Sequence, residues 1–237
     1  MDTGTRQRVT QEVMSFQCEH CGKDFVREKT LASHLCEPKR RWQDRNTVPV
    51  TLALEAYQRF YRHCQPSQKP RTWQQFADSS YYSAFVKFAR YMIDVKCVNT
   101  GAFMDWVIRK NIKLDNWCRD TVYEEYLLHH TRHEAVQDAL TRAIETAQAW
   151  AEENNSQFNH MFRYGNTNKI CYHITQGRIT AWTLYHSESG QLFLDRLNDE
   201  QAAIIYNWID PSYWQKRFVD YPADAAWVQH MMTEAGF

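Results

Sequence analysis

The stretch FQCEHCGKDFVREKTLASHLC, residues 16–36, decides how the N-terminal end of the chain folds. It gathers three of the seven cysteines, Cys18, Cys21 and Cys36, beside His34. Thiolates and imidazole are the ligands that a structural zinc ion takes in a tetrahedral shell. Phe25 and Leu31 are the apolar residues available for a miniature core. So short a segment cannot bury enough surface to fold unaided, so bound metal would supply its folding free energy.

The spacing Phe-x-Cys-x2-Cys-x3-Phe-x5-Leu-x2-His is met without a gap by Phe16, Cys18, Cys21, Phe25, Leu31 and His34. The segment closely resembles the first part of a two-Cys, two-His zinc finger. That resemblance implies a small ββα module, in which a β-turn supplies two thiolates and a short helix the remaining ligands. The sequence departs from the family at the fourth ligand, because the usual position falls on Pro38, Lys39 or Arg40. Cys36 is the nearby group left by elimination. His20, inside the two-cysteine turn, and the distant Cys64 are poorer candidates, and a reduced cluster without metal is the bland alternative. Residues two apart on a regular helix point about 200° apart. His34 and Cys36 can therefore share an ion only if the helix tightens or ends at His34.

Working outward, residues 1–15 read as a flexible tail, within which Met14 could be the true start. Residues 37–46, EPKRRWQDRN, read as a basic hinge, since Pro38 disfavours helix at Glu37. Residues 47–237 read as an α-helical globular domain that could subdivide near 154–166. Within it, Leu52, Ala56, Tyr57, Phe60 and Tyr61 recur at helical spacing, and QPSQKPR (65–71) is a loop. Thr72 with Gln75, Thr131 with Glu134, and Asn198 with Gln201 read as helix starts of the capping-box kind. Asp210-Pro211 and Pro222 open two further helices. Ala135, Ala139, Ala143, Ala147 and Ala151 repeat every four residues, a spacing that permits close helix packing. Around Lys169–Thr175 either a short helix ending at Gly177 or a strand is open, because Ile170, Tyr172 and Ile174 alternate. The fold class is mainly α, with a small N-terminal ββα-type zinc finger.

Composition agrees with a packed helical body. The 237 residues are 43% hydrophobic and 14% aromatic, with only 7 Gly and 6 Pro, few for a fold built from tight turns. No apolar run reaches membrane-span length and the polar start is no secretory signal, so a cytoplasmic protein, without membrane attachment, is expected (host cytoplasm if phage-encoded). Seven cysteines without a framework point to a reducing compartment. The net charge of zero conceals a polarity: residues 1–120 carry 20 Lys/Arg against 13 Asp/Glu, and residues 121–237 carry 8 against 15. The first half suits a polyanion and the second does not.

The family's DNA-reading helix positions fall on Arg27, Thr30 and Ser33. The arginine could pair with guanine, Lys23, Lys29, Lys39, Arg40, Arg41 and Arg45 could neutralise phosphates, and Trp42 could stack on an exposed base. One finger covers only about three base pairs, so independent sequence reading is not expected. Docking of the finger on protein is the competing reading. Elsewhere, Glu125, His129 and His133 share a spacing of four, but an N-cap at Thr131 would break their helix and remove a second metal site. Neither a phosphate-cradling loop nor a Gly-x-Ser-x-Gly turn occurs, so no catalytic residue is assigned. Tyr81, Tyr82, Phe85, Phe88 and Tyr91 read chiefly as core. Trp182, Trp208, Trp214 and Trp227 read as core or partner-interface anchors.

As a whole, one N-terminal finger, a Lys-Arg-Arg hinge and an aromatic helical body resemble small zinc-finger proteins of large tailed phages, particularly cyanobacterial T4-like ones. The resemblance implies a role in phage DNA metabolism or takeover of host transcription. The leading expectation is a non-enzymatic accessory protein that binds one structural zinc and a nucleic acid, DNA in preference to RNA. A protein partner would be met through the acidic C-terminal half. A protein adaptor that binds no nucleic acid is second, and a metal-dependent nuclease third.

Overall fold

The computed structural model describes residues 15–66 and 69–237; residues 1–14, read above as most of an N-terminal tail, and residues 67–68 lie outside the described residues. The fold is mainly α-helical, with a small ββα module at its N-terminal end. The chain divides into two compact units, residues 1–95 and 96–237.

In the first unit, β1 (Phe16–Gln17) and β2 (Asp24–Phe25) pair antiparallel, with Phe16 opposite Phe25. The turn between them needs Gly22, whose φ of +71° is costly for residues with a Cβ. Helices α1 (Glu28–Ser33), α2 (Glu37–Asp44), α3 (Val48–Cys64), α4 (Trp73–Ala77) and α5 (Tyr82–Asp94) follow. The core is α3 against α5, closed by α4. Val50, Ala53, Ala56 and Tyr57 face Phe85, Phe88, Ala89 and Met92, and all eight are buried. Tyr57 sits at the centre, 5.2 Å from Phe76 and edge-on to Phe85 at 5.5 Å between ring centroids. Thr72 and Gln75 form the expected reciprocal cap of α4.

Residues 37–46 are mostly helix rather than hinge. Pro38 disfavours the helical region for the residue before it, yet Glu37 is the first residue of α2, and Pro38 itself is at home in a first turn, where no donor is required. It therefore sits in the opening turn of α2, with Cys36 as N-cap.

In the second unit run α6 (Thr100–Arg109), a 3-10 turn (Leu114–Asn116), α7 (Asp120–His133) and α8 (Val136–Asn154). A second 3-10 turn (Phe158–His160) leads into α9 (Met161–Tyr164), α10 (Thr167–Thr175) and α11 (Ala181–Tyr185). Helices α12 (Glu188–Asp195), α13 (Asp199–Ile209), α14 (Pro211–Asp220) and α15 (Pro222–Glu234) complete it. Residues 167–175 are helix, with Ile170 and Ile174 buried one turn apart and Gly177 in the left-handed region just beyond. The segment 154–166 lies inside this unit. Asn155, at φ +47°, turns the chain out of α8, and the 3-10 turn and α9 then pack back on that helix.

Three helix starts are as the sequence reads them: Asn198 with Gln201 caps α13, Asp210 caps α14 ahead of Pro211, and Pro222 opens α15. Thr131 is different. It lies buried inside α7, and its hydroxyl donates to the Leu127 carbonyl at 3.0 Å. The break falls at Glu134–Ala135, because the Glu134 carboxylate accepts from Arg142 at 2.6 and 2.7 Å instead of capping a helix. Of the alanine row, Ala139, Ala143 and Ala147 are buried, while Ala135 is the exposed N-cap of α8. Trp182, Trp208 and Trp214 are buried and Trp227 half-buried, so they serve the core. No helix among the described residues is long and apolar enough to cross a membrane.

Candidate metal centre

The two strands and α1 bring Cys18, Cys21, His34 and Cys36 together. Their ligand atoms all lie within 4.8 Å of one another. Cys18 Sγ is 3.9 Å from Cys36 Sγ, and Cys21 Sγ is 3.3 Å from His34 Nε2. A tetrahedral ion with bonds of about 2.3 Å to sulfur and 2.0 Å to nitrogen requires sulfur–sulfur edges of about 3.8 Å and sulfur–nitrogen edges of about 3.5 Å. The four groups fit such a shell.

Local geometry explains how His34 and Cys36 converge. Helix α1 ends at Ser33, and His34 is its C-cap in extended conformation, φ −71° and ψ 124°. Cys36 is extended too, at φ −87° and ψ 164°. In extended chain, residues two apart point to the same side. His34 and Cys36 therefore face the cluster, while the intervening Leu35 is 52% exposed. The stop at His34 is the one the elimination of other ligands requires. His20 instead lies near Trp42, 6.1 Å between rings, and Cys64 is exposed at the end of α3.

The turn also tunes the thiols. The His20 backbone N–H leads in holding the Cys18 thiol below the ordinary cysteine value, against the opposing effect of burial. At Cys21 the Lys23 N–H pulls down, but burial and the neighbouring thiols outweigh it and the thiol lies above that value. A metal bound here would displace both protons. The Phe25 ring packs against that of His34 at 4.7 Å between centroids, tilted by 47°.

The side chains that the sequence offers to a nucleic acid divide into two sets. Lys23, Arg27, Lys29, Thr30, Ser33 and Arg40 are exposed, and α1 buries none of its residues. The rest are engaged. Lys39 donates to the His34 carbonyl at 3.1 Å, steadying the ligand's backbone. Arg41 pairs with Glu37 at 3.1 Å, donates to the Ala77 carbonyl and lies 4.3 Å over the Tyr82 ring. It is a clamp between α2, α4 and α5, a role the sequence conceals because its partners lie some forty residues away. Arg45 lies 3.9 Å over Trp42.

The His-rich segment of α7 is continuous, so His129 and His133 do share a face and their rings stack at 4.4 Å. Glu125, however, turns toward Lys110 at 3.8 Å. Among the described residues the four groups of the N-terminal module are the one set of three or more Cys, His or carboxylate groups placed so that they could hold a metal ion. The thiol of Cys97, which burial pushes up to about 12, has no nucleophilic character at neutral pH.

No family model, curated protein or solved structure matches the chain.

Proposed function

We propose that the chain is a zinc-binding accessory protein that contacts nucleic acid through the face around its N-terminal module. The observation that carries this reading is the set of exposed polar and cationic side chains, Lys23, Arg27, Lys29, Thr30, Ser33 and Arg40, mounted beside a three-cysteine, one-histidine cluster. Zinc is the ion whose ligand preference and tetrahedral dimensions match that set. Its role is structural, since four protein ligands leave no position for substrate. Cationic side chains around a rigid module neutralise phosphates and release counterions, which gives affinity without sequence reading. DNA is the favoured polymer.

A protein partner on the acidic half would be met by exposed apolar side chains such as Ile204 and Tyr206 of α13, because the nearby tryptophans are internal. The experiment is a salt-titrated binding assay of the zinc-loaded chain. Affinity for DNA should fall steeply with salt, and chelator should abolish it. Pull-down of one stable partner, with no nucleic-acid shift at any salt, would favour the adaptor reading instead.

A further inference from the structure

We propose that the nucleic acid taken by this face is single-stranded, and that Trp42 stacks on an unpaired base. The proposal rests on the nucleic-acid reading above and narrows it. Trp42 is the one tryptophan among the nine that is exposed, at 42%. Leaving so large an apolar ring in water forgoes stabilisation that the buried tryptophans contribute.

The ring is also held in place. Arg45 lies over it at 3.9 Å and donates to the Trp42 carbonyl at 2.8 Å, so a guanidinium covers one side. His20, on the cysteine turn, approaches at 6.1 Å with a 40° tilt. One residue earlier on α2, Arg41 points about 100° away and clamps the helix to the Ala77 carbonyl and the Tyr82 ring. Trp42 is thereby displayed from a fixed helix, and little freedom is lost when a ligand stacks on it.

An indole needs a base face, and in a duplex those faces are already stacked on their neighbours. Unpaired bases offer theirs freely, and every base has one, so recognition tolerates sequence. Arg45, three residues on and over the same ring, supplies charge for an adjoining phosphate. Helix α1, by contrast, has six residues and spans about 9 Å. That is short for reading a major groove.

The test uses the full zinc-loaded chain and fluorescence anisotropy with an oligothymidine of about 20 nucleotides and a duplex of the same length. Trp42→Ala should lose about tenfold or more affinity for the single strand, with the salt slope unchanged and duplex binding unaltered. Trp42→Phe and Trp42→Leu guard against a folding defect, since both fill space but only phenylalanine offers a π face. Phenylalanine should retain binding and leucine lose it. Equal binding by these two variants, or equal losses on single strand and duplex, overturns the proposal while leaving nucleic-acid binding intact. Failure of the unmodified chain to bind either form at low salt overturns both readings.

Discussion

Cys36 Sγ stands 3.9 Å from Cys18 Sγ, and the same residue is the N-cap of α2. One residue thus joins the metal cluster to the start of the helix that carries Arg41 and Trp42. Replacement by alanine should weaken metal affinity by on the order of 100-fold or more, because one of four charge-donating bonds is lost. It should also loosen α2. Competition with a chromophoric chelator measures the first effect and circular dichroism the second. Retention of unaltered affinity would mean that another group completes the shell.

Much of this centre is legible in the sequence, because its constraints are local. The separation of Cys18 and Cys21 fixes a turn, and the incompatibility of His34 with Cys36 on one helix demands the stop that α1 makes. The helix starts at Thr72, Asn198, Asp210 and Pro222 are legible for the same reason: a cap and its target lie within a few residues. Thr131 shows the limit. Its pattern with Glu134 is that of a capping box, but Arg142 and the buried surroundings of Glu134 take the carboxylate away. Arg41 is a second case. As sequence it is one of several adjacent cations, and only tertiary packing reveals that Ala77 and Tyr82 claim it. Pro38 likewise disfavours helix at the residue before it and yet suits a first turn, and here Glu37 joins the helix all the same.

The separation of exposed from engaged cations makes neighbouring arginines behave differently. Arg40→Ala should lower DNA affinity and reduce the slope of affinity against salt by about one phosphate contact, with no change in stability. Arg41→Ala should reduce the stability of the first unit by about 1–3 kcal/mol, since it removes bonds to a carbonyl and a carboxylate and a ring contact. Urea denaturation alongside the binding titration distinguishes them. Equal effects of the two variants on salt slope, with no loss of stability from either, would contradict the assignment of Arg41 as a clamp.

Within the second unit, Arg142 holds Glu134 with two bonds of 2.6 and 2.7 Å and donates to the Gly177 carbonyl at 2.6 Å. The carboxylate is 1% exposed and the guanidinium 12%. Removing the cation would leave a buried charge with little compensation. Arg142→Ala is therefore expected to destabilise the unit by about 3–5 kcal/mol. Glu134→Gln, which keeps the shape and a carbonyl acceptor, should cost less. The midpoint of urea denaturation ranks the two, and a smaller loss for Arg142→Ala than for Glu134→Gln would show that the pair is not what fixes this corner.

The same corner sets a dependence on pH. Burial, then the charges of Arg142 and His129, pushes His130 down to about 4 from an ordinary 6.5. Glu134 stands 3.4 Å away but is already held by Arg142, so it does not rescue the imidazolium. Between these two values the unfolded chain binds a proton that the folded chain refuses. Stability from His130 is therefore fully present above about pH 6.5 and is lost as pH falls toward 4. Its share between pH 7 and pH 5 is about 2 kcal/mol at most. His173 and His186, lowered chiefly by burial, add losses of the same sign. Glu134 acts oppositely, since burial raises it and acid relieves its charge. Acid would also release a metal bound by the N-terminal cysteines, so the whole-chain slope alone does not isolate His130. The difference between the chain and His130→Gln cancels both terms. Urea midpoints followed by tryptophan emission should show that the variant loses less stability between pH 7 and pH 5, and identical losses would place the imidazole's proton uptake elsewhere.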